Sequence, residues 1–448
     1  MKDTIVARAS GAGNGGICVL RLSGDDAVEI ASRVFQSKIP LTQKPTHTVT
    51  YGFAYNREGE VLDECLATVM LAPRSYTKEN TVEISCHGGY TAARLVEEAL
   101  LFAGARPAEP GEFTLRAFLN GRIDLTKAES VADIITAKTG RSLKSAVTRL
   151  RGGLFDTVKV FRERILGLSA TIMAANDFPE EIEEDITNRE LIEEITRLEQ
   201  DLKKTLATAN TGRMLTEGAK ICLVGKPNTG KSSLMNRLLK ENRAIVTDIP
   251  GTTRDTIEAW MEIAGIPVML YDTAGIHETE DAVEKIGTQR AVSCLKEADI
   301  CLFVLDASKE VAEEDREVLS LLENSDVITI ENKCDLDRKL VFETPFKTLQ
   351  ISTKTGEGMD TLISVLEHKL GQNNGENEVV IANERQKKAL VEAMDAIVRA
   401  KNAFFEGMPS DLIFIDLETA LAALGEITGE NVSDDVIDTI FSRFCVGK

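Results

Sequence analysis

The run Gly15-Gly16-Ile17-Cys18-Val19-Leu20-Arg21-Leu22-Ser23 is apolar enough to predict a strand that stops near Gly24. Asp25 then opens a predicted helix carrying Val28, Ile30 and Ala31. Leu62 to Leu71 and Thr81 to Cys86 read as further strands, and Thr91 to Gly104 as an Ala/Leu-rich helix stopped at glycine. Mixed strands and helices over 1–118 predict a small α+β domain.

The period turns helical from about residue 119. Leu191, Ile195, Leu198 and Leu202 recur at spacings of three and four, and Thr187 to Glu190 predicts a capping box at the start of that helix. Polar Thr211-Gly212-Arg213 predicts a link into strands and helices that alternate as in a parallel sheet. The predicted strands are 219–224, 257–263, 267–271, 299–305, 326–331 and 347–351. Gly265-Ile266-Pro267 predicts a hairpin turn, and so one antiparallel edge. The linker Gly371 to Asn377 closes this unit, and the chain then reads as helical, with a start at Asn383 to Gln386 and a break at Gly407 to Pro409. Helices on both sides of the α/β unit predict its insertion into a helical domain, which is feasible because domain termini often lie close together. The expected division is 1–118, 119–212, 213–372 and 373–448.

Chemistry enters at the ends of those strands. Gly225-Lys226-Pro227-Asn228-Thr229-Gly230-Lys231-Ser232 follows a strand and, with Ser233, opens a helix. Such a loop offers backbone N–H groups and a helix N-terminus to phosphates; Lys231 would reach the outer phosphates and the Ser232 hydroxyl would ligate Mg²⁺. Asp272-Thr273-Ala274-Gly275 ends another strand, placing Asp272 to hold a Mg²⁺-bound water and Gly275 to approach the last phosphate. Thr252 and Thr253, within Ile249-Pro250-Gly251-Thr252-Thr253-Arg254-Asp255, make a candidate switch segment that senses the terminal phosphate. Asn332-Lys333-Cys334-Asp335 selects the base: a carboxylate accepts two parallel bonds from guanine's ring N–H and exocyclic amine, and adenine offers no matching pair. Ser352-Thr353-Lys354 is a fifth element that could contact the guanine oxygen. These motifs, in this order, predict a Ras-like P-loop GTPase domain that binds GTP. Ile276 and His277 follow Gly275, so no glutamine stands there to orient water; His277 or a carboxylate of the Glu278-to-Glu284 segment is the candidate replacement.

Composition narrows the setting. The 448 residues carry a formal net charge of −20, which opposes indiscriminate nucleic-acid binding. One local basic strip remains, with Lys138, Arg141, Lys144, Arg149, Arg151, Lys159, Arg162 and Arg164. It reads either as a solvated helix face or as a phosphate-tracking surface. No apolar run approaches about 20 residues, and the first residues show no secretory or transit pattern, so a cytoplasmic protein is expected. The eight cysteines include no C-x-x-C pair; Cys18, Cys65, Cys86, Cys222, Cys294 and Cys301 lie in apolar segments and read as buried reduced thiols, and four scattered histidines give no zinc spacing.

Further motifs carry a resemblance over essentially the whole chain. Asp3 to Ala9, His87-Gly88-Gly89, Arg106 to Thr114, Arg116 to Gly121, Asn176 to Pro179, Gly251 to Asp255 and the ending Phe441 to Lys448 resemble the MnmE (TrmE) family of tRNA modification GTPases. The resemblance implies an N-terminal folate-binding and dimerising domain, a discontinuous all-α domain and an inserted GTPase domain. It implies K⁺-stimulated GTP hydrolysis that works with the flavoprotein MnmG (GidA) on carbon 5 of the wobble uridine of certain tRNAs. The one-carbon unit would come from a tetrahydrofolate derivative, and a homodimer would assemble as a heterotetramer with MnmG.

By motif position, Arg21, Glu83, Arg122 and Lys448 match formyl-tetrahydrofolate contacts, with Arg122 where the family can carry lysine. Asn228, Thr247, Ile249 and Thr252 match K⁺ ligands, and Ser232 and Thr253 match Mg²⁺ ligands. Thr247, Asp248, Ile249 and Pro250 extend the GTP-binding set, and Glu284 matches a water-orienting glutamate. Cys445 could be a reactive thiol beside Lys448 or a buried structural cysteine. Gly251 to Asp255 also occurs in ribosome-assembly GTPases, but neither a KH pattern nor a second phosphate loop accompanies it.

Overall fold

The computed structural model describes residues 3–11, 15–177, 184–241, 258–272, 295–323, 325–371 and 381–447. By contact density the chain divides into two units: 1–132 with 155–162 and 421–448, and 133–154 with 163–420.

In the first unit, β1 (Ile5–Arg8), β2 (Ile17–Ser23), α1 (Ala27–Val34), β3 (Phe35–Gln36), β4 (Thr48–Tyr55), β5 (Val61–Met70), β6 (Thr81–His87), α2 (Tyr90–Phe102) and β7 (Arg106–Pro107) build one sheet with two helices. Its seven strands run in the order β3-β4-β5-β6-β2-β1-β7, antiparallel except for the β1–β7 edge pair. Alternate residues Leu20, Leu22, Val82 and Ile84 face a core shared with Val28 and Ile30 of α1 and Val96 and Leu100 of α2. This is the expected α+β domain. Helix α3 (Glu112–Leu119) follows it, and α4 (Leu125–Thr136) begins in this unit.

The chain continues through α5 (Gly140–Leu150), α6 (Gly153–Asp177), α7 (Glu184–Ala207) and α8 (Ala209–Glu217). Two sequence expectations change here. Helix α7 already runs from Glu184, so Thr187 lies within it and is not its cap. Thr211-Gly212-Arg213 is likewise not a link but part of α8: Thr211, Gly212, Met214 and Leu215 are buried, and that packing outweighs the polar look of the segment.

The second sheet comprises β8 (Ala219–Val224), β9 (Glu258–Ile263), β10 (Ile266–Asp272), β11 (Ile300–Asp306), β12 (Val327–Asn332) and β13 (Lys347–Gln350), with α9 (Lys231–Glu241), α10 (Glu313–Leu321) and α11 (Met359–Gly371) between and after them. The order is β13-β12-β11-β8-β10-β9, and only β9–β10 is antiparallel, as the hairpin at Gly265 predicts. Alternate side chains bury on opposite faces. Ile221 and Leu223 pack with Leu234 and Leu238 of α9 and Leu362 and Leu366 of α11, while Cys222 and Val224 pack toward Leu322 and Val318. The hairpin turn is held by α5: Thr139 Oγ1 donates to the Gly265 carbonyl at 2.6 Å, and Arg141 to that of Ala264 at 3.1 Å.

Helices α12 (Glu384–Phe405), α13 (Ser410–Thr428) and α14 (Asp434–Phe441) complete the chain. Asn383 caps α12, its side chain accepting from Gln386 N at 2.9 Å, and the break before Pro409 is where the sequence predicts it. Ile437, Ile440, Phe441 and Phe444 pack in the first unit with Leu125 and Ala128. The fold is therefore multidomain: an α+β N-terminal part, a discontinuous helical part and an inserted α/β part.

Candidate functional site

The parallel strands of the second sheet all end at one edge, and every described nucleotide motif sits there. This is where the sheet leaves open strand ends and helix N-termini for a ligand. The loop Gly225 to Gly230 leaves β8 and enters α9 at Lys231. Gly225 and Gly230 have φ of +142° and +99°, and a Cβ would run into the Val304 carbonyl at the first and the Asn332 amide at the second. Asn228 adopts φ +62° and is exposed, as are Ser232 and Ser233 at the start of α9. Lys231 is buried, and its ammonium donates to the Gly225 and Lys226 carbonyls at 2.7 Å each. Thr229 Oγ1 donates to the Lys226 carbonyl at 3.0 Å.

The base-reading motifs brace this loop from beyond β11. Asn332 is fully buried; its amide donates to the Thr229 carbonyl at 2.8 Å, and its Oδ1 accepts from Thr353 N at 3.1 Å. Lys333 Nζ donates to the Asn228 carbonyl at 2.9 Å. Asp335 is exposed, with Oδ1 accepting from Ser352 Oγ at 2.7 Å. Thr353 is half-buried and Lys354 exposed, and both carbonyls face the Arg237 guanidinium of α9. Asn228, Thr229, Asn332, Lys333 and Thr353 thus form one bonded set, joined to Asp335 through the neighbouring Ser352.

Asp272 ends β10 in register with Leu223, beside the strand that feeds the loop. Thr247, Asp248, Ile249, Pro250, Gly251, Thr252, Thr253, Thr273, Ala274, Gly275, His277, Glu284 and Lys448 lie outside the described residues.

Two supports of the loop carry no motif. Lys226 Nζ pairs with Asp315 at 2.7 Å, and Asp315 also accepts from Ala312 N at the start of α10. Lys333 pairs with Asp306 at 2.6 Å. The one sequence signal for Asp306 is a carboxylate closing the otherwise apolar Ile300–Leu305.

A second cluster lies in the first unit. Arg21 and Glu83 are partners in the β2–β6 register, and Arg21 Nε donates to Glu83 Oε1 at 2.8 Å. The Arg21 guanidinium stands 5.7 Å from the Tyr76 ring and 5.7 Å from that of Phe113, and Arg122 lies 4.8 Å from Tyr76 on its own account. Tyr76, absent from the sequence expectations, is thus the ring that joins Arg21 and Arg122. Its hydroxyl hydrogen-bonds Thr114 Oγ1 at 2.9 Å.

Three cations of the basic strip are paired with carboxylates within the protein. Arg149 pairs with Asp133 at 2.6 Å, Arg164 with Glu194 and Asp201, and Arg162 with Glu430. Lys138 sits over the Trp260 ring. Cys18, Cys65, Cys86, Cys222 and Cys301 are buried free thiols, with burial pushing Cys65 and Cys86 up to about 12. Cys445 is exposed, which removes the buried structural reading. Among the described residues no cluster of three His, Cys, Asp or Glu could hold a metal, and no helix is long and apolar enough to cross a membrane.

A six-stranded α/β sheet carrying the G-x-x-x-x-G-K-S loop, the N-K-x-D segment and an acidic strand end at one edge has the arrangement of a P-loop GTPase. The family described as GTP-binding protein TrmE N-terminus matches residues 4–122, and the MnmE helical domain matches 125–445. The tRNA modification GTPase MnmE of Thermoanaerobacter pseudethanolicus is 45% identical over 100% of this chain and 99% of its own length. That of Desulforamulus reducens is 44% identical over 100% of both. Among solved structures, Aquifex aeolicus Era bound to GDP.AlF4- is 24% identical over 40% of this chain and 66% of that one, with a TM-score of 0.27. The chain belongs to the MnmE family of tRNA modification GTPases.

Proposed function

We propose that this GTPase acts in the cytoplasm with an MnmG (GidA) flavoprotein, modifying carbon 5 of the wobble uridine of certain tRNAs with a one-carbon unit from a tetrahydrofolate. The observation that carries the reading is the bonded set linking the phosphate loop to the guanine-selecting motif, in a chain matched end to end by its family. The proposed division is 1–118 for folate binding and dimerisation, 119–212 and 373–448 for the helical domain, and 213–372 for the GTPase domain, with α8 crossing the boundary at 212–213. Analysis of the nucleosides of tRNA from cells lacking the protein tests the reading. Loss of the carbon-5 modification is expected; its persistence would refute the assignment, and co-sedimentation with ribosomal subunits would favour ribosome assembly instead.

The residues fit the groups this reading requires. Ser232 offers an exposed hydroxyl at the head of α9, a hard oxygen donor of the kind Mg²⁺ takes, and Asp272 closes the strand beside β8; Asp272 and Thr253 would complete the Mg²⁺ set. Asn228, Thr247, Ile249 and Thr252 would hold K⁺, which supplies positive charge where charge develops on the phosphates. Potassium replaced by sodium is expected to slow turnover about tenfold or more, as a misfitted charge would; equal steady-state rates would reject the cation's role. Glu284 would orient the attacking water. Glu284→Ala is expected to lose roughly a hundredfold in turnover with GTP affinity retained, and unimpaired single-turnover hydrolysis would eliminate Glu284 from that role.

In the first unit, two guanidinium groups over an aromatic ring, with Glu83 beside them, suit a planar heterocycle that offers N–H donors and carries an anionic tail. A formyl-tetrahydrofolate has that chemistry. Gly111 N bonds the Cys445 carbonyl at 3.5 Å, and Gly447 packs on the Arg8 carbonyl, so the chain end that would bring Lys448 is seated on this unit.

A further inference from the structure

Asp306 belongs to none of the nucleotide motifs, yet it stands behind one of them. It closes β11 with only 6% of its surface exposed. Its Oδ1 accepts from Ser308 N at 3.0 Å and Ser308 Oγ at 2.6 Å, and its Oδ2 accepts from Lys333 Nζ at 2.6 Å. The same ammonium reaches the Asn228 carbonyl at 2.9 Å. Both residues joined by this bond have positive φ, +66° at Lys333 and +62° at Asn228, a region that L-residues seldom adopt. Burial works against the Asp306 charge, but Lys333 and the Ser308 bonds outweigh it and hold its carboxyl below the usual range. The carboxylate is therefore ionised at neutral pH, and it fixes where a long, flexible lysine places its charge.

We infer that Asp306 is a positioning residue of the nucleotide site: it holds the Lys333 ammonium against the Asn228 carbonyl and so couples the guanine-reading segment to the phosphate loop. Without the carboxylate, Lys333 keeps its donors but loses the partner that fixes its head group. The Asn228 turn then loses the restraint on its carbonyl. The guanine-reading segment and the phosphate loop then lose this shared tether, because the Lys333 ammonium is the group that bonds the Asn228 carbonyl. One consequence rests on the potassium reading above: Asn228 is a candidate potassium ligand, so displacement of its turn raises the potassium concentration needed for turnover.

The test is a double-mutant cycle on the full-length chain, with Asp306→Asn, Lys333→Gln and the double variant. Affinity for a fluorescent GDP analogue is measured in sodium buffer, so this arm does not depend on potassium. Asp306→Asn is expected to weaken binding about tenfold, the scale of one charge-assisted contact. The double variant is expected to bind no more weakly than Lys333→Gln alone. Unchanged affinity in Asp306→Asn, or losses that add in the double variant, would overturn the inference. So would a lowered melting temperature with GDP affinity at the wild-type value, since a merely structural aspartate gives that result. Asp306→Glu keeps the charge and moves it by one methylene, which guards against a misfolded Asn variant; it too must lose affinity. In potassium titrations of GTP turnover, Asp306→Asn is expected to need several-fold more K⁺ for half-maximal rate, and an unshifted midpoint would overturn the link to Asn228. A wild-type chain indifferent to potassium would remove the cation reading alone and leave the GDP cycle to decide the role of Asp306.

Discussion

Asp335→Asn is expected to turn a guanine-nucleotide site into one that prefers xanthine nucleotides. The carboxylate can accept from both the ring N–H and the exocyclic amine of guanine. Its Oδ1 already accepts from the buried Ser352 hydroxyl at 2.7 Å, which fixes the orientation of the carboxylate. In the variant, the amide oxygen would remain on Ser352 and the NH₂ group would face the base. Guanine then meets a donor where it needs an acceptor, whereas xanthine offers a carbonyl oxygen in place of the amine. Two bonds to a charged group are at stake, so GDP affinity should fall by roughly 10²- to 10⁴-fold. Competition between GDP and XDP measures the reversal, and an unchanged preference for GDP would remove Asp335 from base selection.

The second large effect belongs to the first unit and concerns folding. Arg116 is 1% exposed, yet it carries a full charge. Its guanidinium donates to Glu112 Oε1 and Asp3 Oδ1 at 2.9 Å each, to the Asp3 carbonyl at 3.0 Å, and to Glu79 at 3.2 Å. Arg106 reaches Glu112 and Asp3 from the other side. Burial alone would raise the Glu112 pKa, but bonds from Arg106, Glu109 N and Arg116 hold it below the ordinary carboxylate range. Arg116→Leu leaves Glu112 and Glu79 with too little positive charge around them. The expected cost is about 3–5 kcal/mol, the usual penalty for removing one partner of a buried pair. Thermal unfolding of the unit should shift down by roughly 10 °C.

The pH dependence has a definite sign. A carboxylate with a lowered folded pKa stabilises the wild type above the unfolded pKa, and that stability is lost as pH falls through the folded pKa. In the variant, Arg106 and the Glu109 N–H still bond Glu112 but the Arg116 guanidinium is gone, so the Glu112 carboxyl is lowered less and the variant loses less stability than the wild type as pH falls. The gap between the two proteins is therefore widest near neutrality and narrows toward acid pH. Calorimetric melts at several pH values check this, and a gap independent of pH would contradict it.

Much of the architecture is legible in the sequence because the decisive strands are buried on both faces. Ile300–Asp306 and Val327–Asn332 are buried at every position: the first is apolar through Leu305, and the second, though it carries Thr329 and Glu331, runs directly into Asn332-Lys333-Cys334-Asp335, which marks its functional end. The helical segments are harder to bound. Thr211-Gly212-Arg213 looks like a link because its helicity comes from packing that no local pattern records. The nucleotide motifs can be read because each is contiguous. What the sequence hides are contacts between distant residues: Lys226 with Asp315, Lys333 with Asp306, and Arg21 and Arg122 around Tyr76. A lysine in a loop gives no sign of which carboxylate it meets until the sheet brings the strand ends together.

Titration calorimetry of the full-length chain with GDP and with ADP tests the central claim most directly. The account requires saturable binding of GDP and none of ADP over the same concentration range. Equal heats for the two nucleotides, or no heat from either, would contradict it.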